Sequence, residues 1–542
     1  MPLPKLDDYL RKGYFPENLP PSFGSAVIAD YFAKSPPPDY LSDAKKAVQS
    51  ASYNASKRGM TRRSFSVVHP VTGYDLAKFA EDHGAAIWDR MNASPFSLSV
   101  PEEKDGSDRA LDISSHSELE RVRLERLSRF RFVAKTDVSR FYHSIYTHSI
   151  PWAFHSKSEA KADRDPKSKK LTFNRLDQIL RCGQDGQTIG IPVGPDVSRI
   201  VAEGVFSAID AEFQARCKVT DCDVIRHVDD IWIGANSHAD AEDALWRYRE
   251  AIRSFELDIN ESKTHIYAED FRFADSWPTD VSEKIDFALD SDKRVEERLR
   301  TALEYAFYLT ASGSDDGVAK FVIRYLDQEG CMASHWDTVE PYLKRSAVHF
   351  GHSVDYVARI VVWKKLAGGG LDEAKWGVIL QSVLARHGRL GNDSEVCWAL
   401  YACEKLEVKV PDSTAAEIIE NCGSLAITAI LNLADLGLTG KGAFAVAETV
   451  IATEDASGSF WPVFLEWHSR KWPGYEKLEL KNKTIEGMVK EGVTVFARAS
   501  IPKVLQGIDF AKYASILQAI EHRVSAYDDD GSEFDALIEE DE

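Results

Sequence analysis

The residues best suited to chemistry are two adjacent carboxylates, Asp229 and Asp230, in the stretch Arg226-His227-Val228-Asp229-Asp230-Ile231-Trp232-Ile233-Gly234. Val224 and Ile225 lead into the pair and Ile231 to Ile233 lead out, so the stretch reads as a β-hairpin with its carboxylates at the turn. Two neighbouring Asp side chains concentrate negative charge at the hairpin tip, an arrangement that is costly unless a cation neutralises it. A divalent metal is the natural occupant, and a solvated Asp-Asp turn is the competing reading. The company of the pair decides between them. Upstream, Phe132-Val133-Ala134-Lys135-Thr136-Asp137 reads as a strand delivering a third carboxylate, with the aromatic pair Phe141 and Tyr142 just beyond. Between the two lies the Gly/Pro loop Gly190-Ile191-Pro192-Val193-Gly194-Pro195, opening onto a helical pattern from Ile200 to Phe213. Downstream, the strand-like segment Leu257 to Thr264 carries Lys263.

In this order the four segments resemble the A, B, C and D motifs of reverse transcriptases. The phrase Phe141-Tyr142-His143-Ser144-Ile145-Tyr146-Thr147-His148-Ser149-Ile150-Pro151-Trp152-Ala153, with Arg63 to Pro70, Ser94 to Pro101 and Thr188 to Pro195, narrows the resemblance. Over roughly residues 50 to 270 the chain is similar to the bacterial defence-associated reverse transcriptases, closest to the abortive-infection (Abi) polymerases. It departs from the family in two places: His227 stands where a Tyr or Phe usually precedes the Asp pair, and Ile189 stands where many members have Gln before the loop glycine. Gln187 is nearby as an alternative amide.

The resemblance implies nucleotidyl transfer to a growing DNA chain from dNTPs. That chemistry needs an activated hydroxyl, an in-line attack on an α-phosphate and a stabilised pyrophosphate, which two Mg²⁺ about 4 Å apart can supply, with Mn²⁺ as a substitute. Asp137 and Asp229 are expected to bridge both ions, Asp230 to take an outer or single-metal role, and Val138 to offer its backbone carbonyl. By resemblance Tyr142 is the steric gate under the sugar, beside Phe141. The loop with Gly190, Pro192 and Gly194 should pack beneath the nascent pair, glycine permitting close approach and proline fixing shape. Lys263, and Arg123 or Arg126 from the fingers, are candidates to meet the triphosphate. Abi polymerases are known for DNA synthesis without a template, primed by a tyrosine of the protein, which leaves DNA covalently attached. A flexible N-terminal segment is the place to look for such a primer, and Tyr9, Tyr14, Tyr31, Tyr40 and Tyr53 are its candidates.

The elements that must position these residues follow from pattern and composition. With 542 residues, 44% apolar and 11% aromatic, the chain is globular and long enough for two or more domains. Residues 1–60 are broken by Pro16, Pro20, Pro21, Pro36, Pro37 and Pro38 and read as an arm, with one helix near Ala44 to Ser50. Residues 61–285 carry the fingers and palm, with a strand over Arg62 to Pro70, a helix over Tyr74 to Met91, an extended Ser94 to Pro101 and a helix from Glu118 to Leu127. Residues 290–527 repeat amphipathic helices, which stack as a solenoid; the resemblance names this domain HEAT-like. Residues 528–542 form an acidic tail expected to be disordered. The fold class is therefore α+β: a right-hand-like palm and fingers followed by an all-α HEAT-like domain.

The formal charge of −20 argues against a broad nucleic-acid grip, because phosphate backbones are held by Lys and Arg. Local basic clusters answer it: Arg121, Arg123, Arg126, Arg129, Arg131 and Lys135 before Asp137, then Lys157 to Arg175 after it. The seven cysteines are odd in number and never spaced as zinc ligands, which suits reduced thiols. No apolar run is long enough to span a membrane and the start lacks a signal pattern, so no membrane partner and a cytoplasmic location are expected. A homo-oligomer, trimer or hexamer, is expected as well. Two alternatives stand beside the Abi-like reading. One is a conventional RNA-templated reverse transcriptase using a dedicated noncoding RNA; the other is a helical scaffold or effector with a vestigial polymerase half, against which the three intact carboxylates argue.

Overall fold

The computed structural model describes residues 3–37, 47–57, 61–273, 276–290, 293–312, 317–367 and 370–498. Six strands are present among them: β1 Ala51–Ser56, β2 Arg62–Val67, β3 Phe132–Asp137, β4 Cys222–His227, β5 Asp230–Ala235 and β6 His265–Tyr267. The chain divides into two compact units, one with the described residues of Met1–Pro16, Ile28–Ser50 and Ser66–Ala274, the other with those of Glu17–Val27, Ala51–Phe65 and Asp275–Glu542.

The first unit is built on a four-stranded antiparallel sheet in the order β4-β5-β3-β6. Its strands are rich in β-branched and aromatic residues, and Val133, Val224, Ile225, Ile231, Trp232 and Ile233 are all buried. Across β3 and β5, Asp137 faces Asp230, Lys135 faces Trp232 and Val133 faces Gly234. Residues directly opposite share a face, so the carboxylates stand on the same face as Lys135, Trp232 and Val133. Helix His238–Ser254 packs on the sheet, and helix Asp196–Arg216 meets the opposite face through Glu203 and Asp210, which bind Arg226 of β4. The carboxylate-bearing face is covered away from its acidic end by helix His116–Leu127, whose Leu119 and Leu127 join Phe130, Val133, Ile225 and Trp232 in one core cluster. Ser115 starts that helix by accepting the Glu118 N–H at 3.3 Å. Gly234 admits the Phe130 ring, since a Cβ there would lie 2.3 Å from it.

Three segments differ from the sequence reading. The helix expected over Tyr74 to Met91 is two, Pro70–Asp82 and Gly84–Met91, the first begun by proline with His69 Nδ1 accepting the Val71 N–H at 3.3 Å. The strand expected around Lys263 makes one bridge, Val138 to Ile259, and then turns into a 3₁₀ segment, Glu261–Lys263, before β6. Local side chains account for the turn: Ser262 Oγ donates to Asn260 Oδ1 at 2.7 Å and Thr264 Oγ1 donates to the Asn260 carbonyl at 2.8 Å, offering the backbone an alternative to the ladder. The helix expected near Ala44 to Ser50 lies partly outside the described residues; its described part, 47–50, is not helical, and Val48 N–H instead donates to the Cys182 carbonyl at 2.9 Å.

The second unit is helical. From Trp336–His349 onward each helix packs on the next but one: Trp336–His349 on Glu373–Arg389, then Asp412–Asn421 and Gly442–Val450 in one row, and Val354–Leu366, Asp393–Lys405, Ser424–Asp435 and Trp461–Ser469 in the other. Strand β1 lies against Asp393–Lys405, with Asn54 Nδ2 donating to Asp393 Oδ2 at 2.6 Å and Arg62 Nη1 on Glu395 Oε1 at 2.6 Å. Residues 17–27 and 51–65, read from sequence as arm and fingers, thus fold with the helices, as does helix Trp277–Leu289, which straddles the expected boundary at 285. The acidic tail, 528–542, lies outside the described residues. All seven cysteines are free, and among the described residues no helix is long and apolar enough to cross a membrane.

Candidate functional site

Three of the predicted residues meet at one end of the sheet. Asp137 closes β3, Asp230 opens β5 directly opposite it, and Asp229 sits in the β4–β5 turn. Like charges directly opposite on adjacent strands are destabilising. Lys263 relieves part of this, its Nζ donating to Asp137 Oδ2 at 2.8 Å. Burial works against the charge on Lys263, but Asp137, Asp230 and Asp229 together hold its pKa above the ordinary value. Burial, followed by the neighbouring Asp230 and Asp137, pushes the Asp229 carboxyl up to about 7. The other oxygen of Asp137, Oδ1, is buried with no hydrogen-bond partner.

An unsatisfied buried carboxylate oxygen, flanked by two further carboxylates, is a donor set that suits a hard divalent cation. Among the described residues, no group of three or more His, Cys, Asp or Glu side chains is placed, as it stands, to hold a metal ion. The residues fit such an ion as an acidic end whose ammonium must yield. Val138 fits in the same way. Its bridge to Ile259 is flanked by Ser139 N–H on the Asp258 carbonyl (3.0 Å) and Asn260 N–H on the Asp137 carbonyl (2.8 Å), so its own N–H and C=O point to the other side, toward the hairpin.

The Gly/Pro loop is joined to the segment after Asp137. Ile191 N–H donates to the Tyr142 carbonyl at 2.9 Å and Gly190 N–H to the Ile145 carbonyl at 2.8 Å. Gly190 has φ +89°, and a Cβ there would stand 3.2 Å from the His143 carbonyl oxygen. Val193, beside Pro192, accepts from Ser66 N–H at 2.8 Å, and Gly194, at φ +127°, leaves room for Pro16. The amide serving this loop is Gln184, whose Nε2 donates to the carbonyls of Gln187 (2.8 Å) and Gly190 (2.9 Å); Gln187 itself is exposed. Tyr142 is half-buried beside this junction.

Other candidates are placed elsewhere. Phe141 is buried against Phe206, ring centroids 5.0 Å apart. Arg126 Nε pairs with Asp223 at 3.1 Å, at the far end of β4 from the turn. Arg123 is buried with its guanidinium 4.8 Å from the Trp232 ring centroid and Nη2 on the Phe273 carbonyl at 3.1 Å. Both arginines lie on helix His116–Leu127, whose Leu119 and Leu127 join the sheet's core cluster. Among the tyrosines, Tyr9, Tyr14 and Tyr53 are buried, and burial pushes each phenol well above its ordinary pKa. Tyr14 Oη donates to the Val68 carbonyl at 2.7 Å and Tyr53 Oη to the Asn18 carbonyl at 3.3 Å. Tyr31 is half-buried beside Phe32, and Tyr40 lies outside the described residues.

Sequence reasoning missed a buried network beneath the hairpin. Arg226, on β4, is 0% exposed; its Nε meets Asp210 Oδ2 at 2.9 Å and its Nη1 meets Glu203 Oε2 at 2.9 Å. Ser94 Oγ and Tyr248 Oη also donate to Asp210. The signal was present: Glu203 and Asp210 lie two turns apart on one line of a largely apolar helix, and Arg226 follows the apolar pair Val224 and Ile225 on its strand.

Residues 88–285 match the reverse transcriptase (RNA-dependent DNA polymerase) family, a span that contains every residue of the acidic end. No curated protein matches the chain. Among solved structures, similarity is found to apo telomerase from Candida tropicalis truncated from its C-terminal domain, at 13% identity and TM-score 0.29 over 42% of this chain and 51% of that one. It extends to telomerase from Candida albicans in complex with a TWJ fragment of telomeric RNA, at 12% identity and TM-score 0.29 over 62% and 65%. Apo telomerase from Candida tropicalis gives 10% identity and TM-score 0.30 over 76% and 70%. The chain thus spans about half to two thirds of the length of the first two. The match places a reverse transcriptase-like domain within residues 88–285.

Proposed function

We propose that deoxynucleotides are polymerised at the end of the sheet where Asp137 faces Asp230, with Mg²⁺, or Mn²⁺ in its place, held by these carboxylates and Asp229. The observation that carries this reading is the cross-strand pairing of Asp137 with Asp230 beside the Asp229 turn, with Asp137 Oδ1 buried and unpartnered. When bound, such ions favour deprotonation of the attacking hydroxyl and offset charge on the transferring phosphoryl group and the pyrophosphate. Asp137 and Asp229 would hold them, Asp230 would take an outer or single-ion role, and Val138 would contribute its carbonyl. Lys263, whose Nζ lies on Asp137 Oδ2 at 2.8 Å, would be the lysine placed to meet the triphosphate. Tyr142 lies under the sugar and the Gly190–Pro195 loop beneath the nascent pair. Asp229→Asn is expected to abolish deoxynucleotide incorporation while leaving the fold intact; incorporation by that variant in Mg²⁺ at the wild-type rate overturns the assignment.

We further read the protein as a cytoplasmic homo-oligomer, trimeric or hexameric, of antiphage defence. Its synthesis is template-independent and primed by its own tyrosine, and its C-terminal helices form a HEAT-like domain. The resemblance to abortive-infection polymerases supports this, and the paired helix rows suit the last point. Burial of Tyr9, Tyr14 and Tyr53 leaves Tyr31 and Tyr40 as arm candidates. That same burial favours a second reading, RNA-templated synthesis on a dedicated noncoding RNA. Denaturing gels separate them. Nuclease-sensitive DNA migrating with the polypeptide and mapping to Tyr31 or Tyr40 by mass spectrometry supports priming by the protein; freely separable DNA with a copurifying RNA supports the second.

A further inference from the structure

The residue immediately before the carboxylate pair, Val228, has φ +49°. A branched side chain in this left-handed region crowds its own backbone, so the conformation persists only where its surroundings impose it. Two hydrogen bonds do so. Val228 N–H donates to Ser99 Oγ at 2.6 Å, and its carbonyl accepts from Arg226 Nη1 at 3.1 Å.

Ser99 is 1% exposed; its Oγ donates to Glu203 Oε2 at 3.5 Å, which leaves its lone pairs to accept from Val228. Its position along the hairpin is set by register. The extended segment Ser94 to Pro101 runs parallel to β4, Ser97 bridging Arg226, with Arg226 N–H on the Phe96 carbonyl (2.9 Å) and Leu98 N–H on the Arg226 carbonyl (2.8 Å). Two residues beyond Ser97 stands Ser99; two beyond Arg226 stands Val228. The segment is therefore a brace whose last polar group meets the backbone of the turn.

We propose that Ser99 is a positioning residue: with Arg226 it forces Val228 into the left-handed conformation and so sets the direction in which the Asp229 and Asp230 carboxylates leave the hairpin. This rests on the reading that those carboxylates hold a divalent cation and act in nucleotidyl transfer. Glycine takes φ near +49° without steric cost. The requirement for Ser99 should therefore vanish once Val228 is replaced by glycine.

The test uses the full chain and four variants, S99A, S99T, V228G and the double variant S99A/V228G. Mn²⁺ binding is measured by electron paramagnetic resonance without nucleotide, alongside kcat, KM for a dNTP and the thermal unfolding midpoint. In the Val228 background, Ser99→Ala should weaken Mn²⁺ binding and lower kcat by about tenfold, the scale of left-handed strain for a residue with a Cβ, with KM changed less. Ser99→Thr, which keeps the hydroxyl, should stay near wild type. In the V228G background, Ser99→Ala should cost less than about threefold. Equal losses in both backgrounds, or no loss with Val228 present, overturn the proposal. Should S99A not fold, Ser99→Cys, which keeps the volume and weakens the acceptor, is carried through the same pair of backgrounds. Absence of Mn²⁺ binding by wild type overturns the cation reading instead, and the role of Ser99 is then decided by the kcat coupling alone.

Discussion

Asp137 and Asp230 are held opposite one another by the ladder that also makes the sheet, so their repulsion is built into the fold and cannot relax by a rotamer change alone. Neutralising one should therefore help the fold as it harms the reaction. Asp230→Asn is expected to raise denaturant stability in metal-free buffer by about 0.2–1 kcal/mol while lowering deoxynucleotide incorporation; an unchanged or lower unfolding midpoint would show that the pair carries no such repulsion. Tyr142 is argued from its junction with the Gly190 loop through Ile191 N–H. If it lies under the sugar, Tyr142→Ala should bring ribonucleotide incorporation much nearer that of deoxynucleotides, and unchanged discrimination in single-nucleotide assays would return the residue to a packing role. The three carboxylates were legible because residue type and order carry that signal. The arginines' surroundings were not: crowding in sequence says nothing of which way a helix faces, and Arg123 and Arg126 turn toward Trp232 and Asp223. Arg226, read only as part of a strand, proves to be the buried cation under the hairpin.

At the scale of elements, the strands and most helices follow from period and capping residues, as with helix His116–Leu127 behind Ser115. Segments governed by side-chain to backbone hydrogen bonds, such as Asn260 to Thr264, do not show in apolar periodicity at all. Nor does the clustering of titratable groups where β1 meets the second unit's helices. His387, on helix Glu373–Arg389, is 6% exposed; burial, then Arg386 and Arg62, push its pKa down to about 4. Its Nδ1 accepts from Asn392 Nδ2 at 2.8 Å, and Glu395 Oε1 stands 3.8 Å away. Neighbouring Asp393 moves the other way, burial lifting it to about 6 against hydrogen bonds from Gly423 and Asn54. The signs oppose. The depressed histidine contributes stability present above about pH 6.5 and lost as pH falls toward 4; the raised aspartate contributes stability present below its ordinary value and lost as pH rises through about 6. In wild type the two partly cancel between pH 7 and 5. His387→Gln removes one arm, so its stability change over that interval should be more favourable than wild type's by about 2 kcal/mol. Urea unfolding at the two pH values measures this, and parallel curves for the two proteins rule out a buried neutral His387.

At the scale of the whole molecule, the sequence suggests two halves divided near Asp280 to Lys293, because amphipathic helices follow one another from there. The chain is less simply partitioned. Residues 51–65 complete the helical unit: Tyr53 is 0% exposed, Arg62 meets the nearly buried Glu395, and Asn54 bonds to Asp393. Trp398 Nε1 also donates to the Asn18 carbonyl at 3.0 Å, from the other N-terminal stretch assigned to that unit. None of this could be read from composition, since a short strand of Ala, Ser, Tyr and Asn gives no hint of what it covers. The consequence is asymmetric. A fragment from Asp275 onward loses the guanidinium that balances Glu395 and the amide that satisfies Asp393, and removing one partner of a buried charge pair costs about 3–5 kcal/mol. That is a large share of the roughly 5–15 kcal/mol by which domains are stable. The fragment expressed alone should therefore unfold at a lower temperature and without a sharp transition, and coexpression with residues 1–274 should restore a cooperative one. Calorimetry or circular dichroism melts decide it: a sharp, unshifted transition for the isolated fragment would mean that the N-terminal strand contributes nothing the helices need.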